Sequence, residues 1–427
     1  MQNIIRKYFK GDLKMWVIIG FLCLIAVLAI YSASAYFVRK ADYHAEELVR
    51  HGKFLVTGII LAWGIHLIPF RWVRVFGYIL LPVSIIFMLI IIFKIDLQYI
   101  KAFTEKGATR QILFFGQKIQ VFEFVKLSMI IILADLMSAV PEKSILLNAV
   151  ARWMRKDLSD NLARKLKFWL SLAIFSMFAI PVALENGSTG ILLFAVGFSM
   201  LLLSNLSLGR WLIMLAAGIL LIGGMMLFGN IGRSATWDSR VGIWLSDDIY
   251  AYNEKTAQTA DAQIAIAKGG WLGVGPGMSS QRDRLSQAYD DAIFGIIVEE
   301  FGFIGALFVM FLYLSFLYRA GILAKKCPRQ YPALLVLGLA LMIVLQAFFH
   351  MGTTTLACPP TGQPLPLISR GGMSVLFVFI YIGIIQSVAR NVDEMNAKKA
   401  ESGELKTERE ELEIKNEELE NGNINNR

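Results

Sequence analysis

The sequence is poor in the residues that form disulfides and transition-metal sites. It has only 3 cysteines and 4 histidines in 427 residues. The cysteines lie far apart without a CxxC pair, and the histidines show no HxxxH spacing. A disulfide scaffold and a zinc site are therefore both excluded as the basis of the fold.

Charge is also scarce, and apolar residues take its place. Charged residues make up 18% of the chain and apolar residues 56%, with a mean hydropathy of +0.57. A soluble domain has about 25% charged and about 45–50% apolar residues. This composition excludes a water-soluble enzyme and predicts an integral membrane protein.

Ten apolar runs with little charge predict an all-α, polytopic membrane protein with ten transmembrane helices. No small-residue cleavage site follows the first run, so we expect a retained helix there rather than a signal peptide. The ten runs cover residues 15–38, 54–70, 72–93, 121–140, 166–184, 189–206, 211–229, 292–318, 332–351 and 374–390.

The even number of spans places both termini on one side of the membrane. If the N-terminus is inside, the short inner segments, without the C-terminal tail, hold 18 basic residues and the short outer segments 10. Cytoplasmic loops carry the excess of Lys and Arg, so we expect cytoplasmic termini. The long loop between helices 7 and 8, about residues 230–291, then lies outside, and loops of this length are usually functional.

Two stretches outside the spans have unusual composition. The segment AKGGWLGVGPGMSS in the long loop lacks the ending of a phosphate loop, and Pro276 removes a backbone donor, so we expect a tight re-entrant turn near the membrane surface.

Residues 391–427 carry eleven acidic and six basic side chains and predict a charged cytosolic tail, separate from a transmembrane domain over residues 1–390. Leucines recur there every seven residues, which leaves open a solvated helix and a short partner-binding coiled coil.

Ionisable residues inside predicted spans are candidates for function because they are costly in lipid. Gln120, Glu123 and Lys126 have helical spacing in the fourth run, and Glu123 and Lys126 can neutralise each other. From the residues alone, a structural ion pair and a functional site are both open. Asp135, near the inner end of this run, is expected to be a solvated or capping residue.

Four carboxylates lie in the eighth run or directly before it. Glu299 and Glu300 are expected roughly 12 Å below the outer surface, facing a polar cavity or basic partners. Asp291 follows Asp290 at the outer start of this helix. Two roles stay open for Asp291 on the residues alone, a helix cap or a general base.

The last outer loop reads HMGTTTLACPPTGQPLPLISRGGMSVL. Five prolines and glycines within 359–366 prevent a helix, and such backbone at a membrane face must line protein or water. Arg370 in this loop is a candidate ligand for a lipid phosphate, and equally an arginine that snorkels to the interface.

Five pieces of sequence, taken together in this order, resemble the SEDS family (shape, elongation, division and sporulation) of ten-span bacterial membrane proteins. They are IYSAS, GATR with QVFEFVK, AQIAIAKGGWLGVG, DDAIFGIIVEEFGFIG and TGQPLPLISRGG. The resemblance covers about residues 12–390. IYSAS and the last loop favour the cell-division members over the elongation members.

The resemblance implies an enzyme of the bacterial plasma (inner) membrane at the division septum, a peptidoglycan glycosyltransferase that polymerises lipid II into glycan strands. It implies as partners a class B penicillin-binding protein transpeptidase and other divisome membrane proteins, and no nucleic acid. No cofactor is certain; a divalent cation, Mg or Mn, is an open option, but no ligand spacing identifies a metal site. The alternatives are a lipid II flippase, an elongation-type polymerase and a non-catalytic division scaffold.

The resemblance also assigns residues. Asp291 occupies the position of the family's essential acidic residue, and on chemical grounds we expect it to act as the catalytic base. The leaving pyrophosphate needs cations, for which Arg110, Lys126, Arg240 and Arg370 are candidates. The substrate-binding residues that the resemblance implies are Arg110, Gln120, Glu123, Lys126, Glu299, Glu300, Ser369, Gly371 and Gly372. Arg240 and Arg370 are added to them as basic residues that could bind the substrate phosphates. The chain departs from the family at QVFE for Gln-Pro-Ser-Glu, at ENGSTG for Pro-Asp-x-Gly-Thr, at LSQ for Leu-Pro-Glu, and at His350 for an asparagine.

Overall fold

The fold was taken from a computed structural model. The residues that it describes are 11–38, 44–96, 100–105, 108–138, 144–154, 160–203, 209, 212–213, 215–216, 218, 240–242, 244–245, 256–281, 292–370 and 372–424. Within them, the helices are α1 (Leu13–Val38), α2 (His44–Leu67), α3 (Arg71–Ile92), α4 (Val121–Met137), α5 (Ile145–Met154), α6 (Asp160–Glu185), α7 (Gly187–Leu202), α8 (Ala257–Gly269), α9 (Ile293–Lys326), α10 (Gln330–Thr354) and α11 (Met373–Ile424).

Seven helices in the described part of the chain are long and apolar enough to cross a membrane. They are α1, α2, α3, α6, α9, α10 and α11, and they coincide with seven of the predicted runs. The shorter helices α4 and α7 coincide with two more. The predicted span over 211–229 lies almost entirely outside the described residues, so the count of ten stays a prediction.

A three-stranded antiparallel sheet stands between α3 and α4, where the sequence analysis expected no strand. Its strands are β1 (Ile100–Glu105), β2 (Ala108–Phe114) and β3 (Gln117–Gln120), in the order β1-β2-β3. Phe115 and Gly116 turn the second hairpin with φ of 47° and 80°, as a two-residue hairpin turn of the I′ type requires. The fold is therefore mainly helical, with a small sheet added.

Helix α4 is the centre of the bundle. Every one of its side chains except Phe124 is buried, and it packs against α3, α6, α7 and α10. Its charged residues are Glu123, Lys126 and Asp135, and all three are buried. Because a buried charge is costly unless it is paired, each of them must have a partner on a neighbouring helix or on α4 itself.

Asp135 has its partners at the end of the bundle where α3 begins. Arg74 Nε lies 2.9 Å from one carboxylate oxygen, and Tyr78 donates to the other at 2.6 Å. Ser144 adds a third contact at 3.0 Å. The expectation of a solvated or capping residue was wrong, because Asp135 is 0% exposed and its charge is neutralised by a helix distant in sequence.

The same end of the bundle, called the tail end below, ties three helices together. Arg319 of α9 binds Asp12 through two nitrogens, at 2.5 and 3.0 Å. Gln386 of α11 exchanges two hydrogen bonds with the backbone of Asp12, at 2.9 and 3.1 Å. The opposite end, called the loop end, carries the sheet and residues 355–372.

Candidate functional site at the loop end

A buried ion pair on α4 is linked to the last loop by one amide side chain. Lys126 Nζ lies 2.8 Å from Glu123 Oε1 and donates to Gln346 Oε1 at 3.1 Å. Gln346 Nε2 in turn donates to the carbonyl oxygen of Pro364 at 3.0 Å. The pair therefore neutralises itself and is linked to the loop through Gln346, while its functional role stays a prediction.

Other buried amides and hydroxyls hold the same loop. Gln363 Nε2 donates to the hydroxyls of Ser188 and Thr189 at 3.0 and 2.6 Å. The carbonyl oxygen of Gln363 lies 2.7 Å from His350 Nδ1. The family departures ENGSTG and His350 thus lie inside this network, and they keep polar groups at those positions.

Three further side chains contact residues between 354 and 360. Two of them belong to the long outer loop that precedes α8, and the third belongs to α8. Arg240 Nη1 donates to the carbonyl of Pro360 at 3.3 Å, and Trp244 Nε1 to that of Leu356 at 2.9 Å. Gln263 Nε2 donates to the carbonyl of Thr354 at 2.6 Å. These side chains satisfy two carbonyl groups of a loop without regular structure and one at the end of α10, which helps to fix the conformation of the loop.

Helix α9 is broken near its start, at Gly302. This residue has φ 67° and ψ −170°, which only glycine adopts readily. The carbonyl oxygens of Glu299 and Glu300 accept hydrogen bonds from the amides of Val274 and Gly275, at 2.9 and 3.0 Å. Residues 270–281, called the glycine loop, therefore fill the break and satisfy the backbone that the break exposes.

The side chain of Glu299 also binds the glycine loop. Its carboxylate accepts hydrogen bonds from the hydroxyl and the amide of Ser280, at 2.8 and 3.0 Å. It also accepts from the amide of Gln281 at 3.3 Å and from the Ser279 hydroxyl. Four donors to one carboxylate fix the loop against the helix.

Glu300 connects the glycine loop to α1. Its carboxylate accepts from the amide of Ser279 at 3.3 Å and from the hydroxyl of Ser32. Ser32 lies in IYSAS and Glu300 in IVEEFGFIG, so two motifs that are far apart in sequence meet here. The sequence predicted a polar cavity or basic partners for both glutamates; the contacts that the structure shows are hydrogen bonds from hydroxyl and backbone amide groups.

The depth expected for the two glutamates stays a prediction, and the exposure of side chains along α9 favours a position nearer to its loop end. Residues 303–326 of α9 extend about 36 Å, which on its own crosses a hydrocarbon core of about 30 Å. The large exposed side chains of α9 begin at Phe303, while residues 292–300 are all buried. Glu299 and Glu300 therefore lie beyond the lipid-facing part of α9, at its loop end.

The break at Gly302 yields a prediction with a control in the same helix. A Cβ on Gly302 would lie 2.4 Å from the carbonyl oxygen of Trp271, whereas a Cβ on Gly321 would meet nothing within 4 Å. We expect Gly302→Ala to lower the free energy of unfolding by about 1–3 kcal/mol or more. Gly321→Ala should raise it by about 0.5–1 kcal/mol.

Thermal unfolding of both variants in the same detergent measures this difference. If Gly302→Ala unfolds at the temperature of the wild type, the glycine loop does not require the break.

The remaining predicted site residues are in part described by the structure and in part outside it. Asp291 lies outside the described residues, as do Asp290 and Gly371. Arg110 is on strand β2, and Gln120 ends β3 just before α4, so Gln120 does not share a helix with Glu123 as its spacing predicted. The Ser369 hydroxyl accepts from the amide of Leu365 at 2.8 Å; Arg370 and Gly372, partly exposed, complete the loop before α11.

No resident metal centre is found in the described part of the chain. Among those residues, no group of three or more His, Cys, Asp or Glu side chains is arranged to hold an ion. Glu299 and Glu300 accept hydrogen bonds from serine hydroxyls and backbone amides. A divalent cation therefore stays an untested option, and the steps proposed below involve only side chains of this protein.

Sequence reasoning missed the residues that join the elements of the site. Gln346 and Gln363 hold the last loop, and Ser279, Ser280 and Ser32 bind the glutamates. A signal was available for Gln346, because a single amide in an apolar run is itself a polar group at membrane depth. The serines gave no such signal, because the sequence around a serine does not indicate which residue its hydroxyl will bind.

The fold and the site define a polytopic α-helical membrane protein with a buried ion pair tied to an irregular loop at one membrane face. The chain belongs to the FtsW/RodA/SpoVE family of cell cycle proteins, whose model matches residues 13–394. The resemblance to the SEDS family is thereby confirmed.

Individual relatives agree with this assignment. The chain is 34% identical over 224 residues to a probable peptidoglycan glycosyltransferase FtsW of Dichelobacter nodosus, covering 51% of this chain and 54% of that protein. It is 26% identical over 406 residues to the protein of the same name from Saccharophagus degradans, covering 93% and 96%. It thus spans about half of the first relative and nearly all of the second.

A solved structure has the same fold. A chain of a peptidoglycan synthase complex that coordinates polymerisation and crosslinking matches with a TM-score of 0.63 at 20% identity. The match covers 90% of this chain and 98% of that chain. At this identity the likeness establishes the fold.

Proposed function

We propose that this protein is a peptidoglycan glycosyltransferase that polymerises lipid II into glycan strands during septal cell-wall synthesis. The observation that carries the proposal is the link from the buried pair Glu123–Lys126 through Gln346 to Pro364. This link connects paired charges to the last loop, at the end of the bundle where we propose that a lipid-linked sugar is handled. The name shared by the relatives supports the same activity.

The chemistry requires a base and cations at this face. A sugar hydroxyl of one lipid-linked substrate attacks the anomeric carbon of another, and the bond from that carbon to the pyrophosphate oxygen breaks. We assign the hydroxyl proton to Asp291, because a hydroxyl is a poor nucleophile at neutral pH. Arg110, Arg240 and Arg370 are the cations that we expect to stabilise the departing lipid pyrophosphate.

A lipid II flippase is the competing function, and the packing of α4 argues against it. A transporter needs a polar path between the two faces of the membrane. Between Lys126 and Asp135, α4 is completely buried and apolar apart from Ser128. Along α4, the polar groups of the loop end and the tail end are thus separated by packed apolar side chains.

We propose a plasma-membrane location with both termini in the cytoplasm, at the division septum. The excess of basic residues in the predicted inner segments supports this orientation. As partners we propose a class B penicillin-binding protein transpeptidase and other divisome membrane proteins. A chain of this fold is part of a peptidoglycan synthase complex, which supports the first of these.

The test is a polymerisation assay with purified protein and fluorescent lipid II in nanodiscs, with and without the cognate transpeptidase. We expect glycan polymers that a muramidase degrades. A parallel assay in sealed vesicles measures movement of lipid II between leaflets. Movement without polymer, under conditions in which the transpeptidase is bound, would contradict the polymerase and favour the flippase.

A further inference from the structure

The glycine loop exposes large apolar side chains at the loop end. Trp271 is 73% exposed, Leu272 78% and Met278 70%. Single exposed apolar residues are ordinary on protein surfaces, but several on one short loop indicate a surface that another phase or molecule covers.

The loop has two chemically different sides. On one side, Ser279 and Gln281 are buried and bind Glu299. On the other side lie the exposed Trp271 and Leu272. Because the buried side is held by hydrogen bonds to α9, the exposed side is presented in a defined position.

The exposed side continues the lipid-facing surface of α9. The indole of Trp271 packs edge-on against Phe303, with ring centroids 5.4 Å apart. Phe303 and Ile304 are 47% and 54% exposed. They are the first of the large exposed apolar side chains of α9, which continue with Leu307, Phe308, Phe311, Leu314 and Tyr318. The backbone amide of Ile304 donates to the carbonyl of Trp271 at 3.3 Å. A backbone hydrogen bond therefore also links the glycine loop to this exposed face of α9.

The length of α9 sets the depth of the loop. Residues 303–326 extend about 36 Å, a little more than the hydrocarbon core of about 30 Å. Lys325 and Lys326 mark the far end of this segment. The break at Gly302, and with it Trp271, then falls at the level of the headgroups, where tryptophan is enriched.

We propose that the glycine loop is an anchor in the lipid leaflet at the loop end, with Trp271, Leu272 and Met278 inserted among the headgroups and upper acyl chains. Exposed Lys268, whose Nζ donates to Ser280 at 2.8 Å, places a positive charge beside the loop for lipid phosphates. The anchor fixes the height of Glu299 and Glu300 above the hydrocarbon. This inference does not depend on the proposed function.

The experiment places an environment-sensitive fluorophore on the full-length protein in nanodiscs of phosphatidylethanolamine and phosphatidylglycerol. Cys23, Cys327 and Cys358 are replaced by alanine, and Leu272→Cys or Met278→Cys carries the label. The matched control is Lys101→Cys, an exposed position on strand β1 that pairs with exposed Asp96. Unchanged thermal unfolding before labelling confirms that each variant is folded.

We expect nitroxides attached to lipid headgroups and upper acyl chains to quench the label at Leu272 and Met278 at least about threefold more than the label at Lys101. Aqueous iodide should show the opposite order. Equal quenching by lipid nitroxides at all three positions would overturn the proposal. Labels at Leu272 and Met278 that stay open to iodide in lipid alone would also overturn it, and would identify the patch as a docking surface for a protein.

Discussion

Asp291→Asn should abolish polymerisation of lipid II while leaving the protein folded. A positioned general base contributes about 10²–10⁴-fold to a rate, and an asparagine amide cannot accept the proton of the attacking hydroxyl. We therefore expect the rate of glycan formation to fall by at least about 100-fold. The measurement is the initial rate with purified wild type and variant at the same concentration, with the cognate transpeptidase present.

Asp290→Asn is the matched control for this experiment. It removes one negative charge from the adjacent position, so it reproduces any general electrostatic effect on an anionic substrate. If Asp291 is the base, Asp290→Asn keeps most of the activity. Equal losses in the two variants, or a normal rate with Asp291→Asn, would show that the proton is taken elsewhere.

Lys126→Met should strongly destabilise the protein. The substitution leaves the carboxylate of Glu123 buried without its cation, since the Lys126 side chain is only 3% exposed and that of Glu123 8%. Breaking one partner of a buried pair costs about 3–5 kcal/mol. We expect a lower thermal midpoint in detergent and a reduced yield of folded protein.

The double variant Glu123→Gln with Lys126→Met separates stability from function. With no isolated charge left, most of the lost stability should return. Polymerisation should stay low, because the hydrogen bond from Lys126 to Gln346, which holds the loop at Pro364, is still missing. A folded double variant with the wild-type rate would reduce the pair to a structural role.

Ser128→Ala provides the control in the same helix. Ser128 is 0% exposed, and its hydroxyl has no hydrogen-bond partner in the described part of the chain. Its removal should change the thermal midpoint little, because no hydrogen bond is broken. A large loss there would mean that any change in α4 is damaging, and the Lys126 result would then carry no specific meaning.

The membrane spans were predictable because a helix that crosses the hydrocarbon core must be apolar over nearly its whole length. Runs of about 20 apolar residues can be recognised without knowing their neighbours. The sheet was not predictable in this way. Its strands are short, and β3 covers only Gln117–Gln120, which leaves little alternation to read. The turn at Phe115 and Gly116 was the one local signal.

Charged residues were recognisable as important, but their partners were not. Asp135 and Arg74 form an ion pair although they lie in different helices, and no local pattern connects them. Glu123 and Lys126 were paired correctly because they share one helix. The break at Gly302 escaped notice for a similar reason, since a positive φ follows from contacts with the glycine loop rather than from the flanking sequence.

Helix α11 continues without interruption from the last loop into the charged tail. It runs over 52 residues, Met373–Ile424, which corresponds to about 78 Å. A rod of that length acts as a lever: a tilt of about 5° at Met373 displaces its far end by about 7 Å. The displacement caused by any tilt of the helix as a rigid body would therefore be larger at its far end than at the loop end.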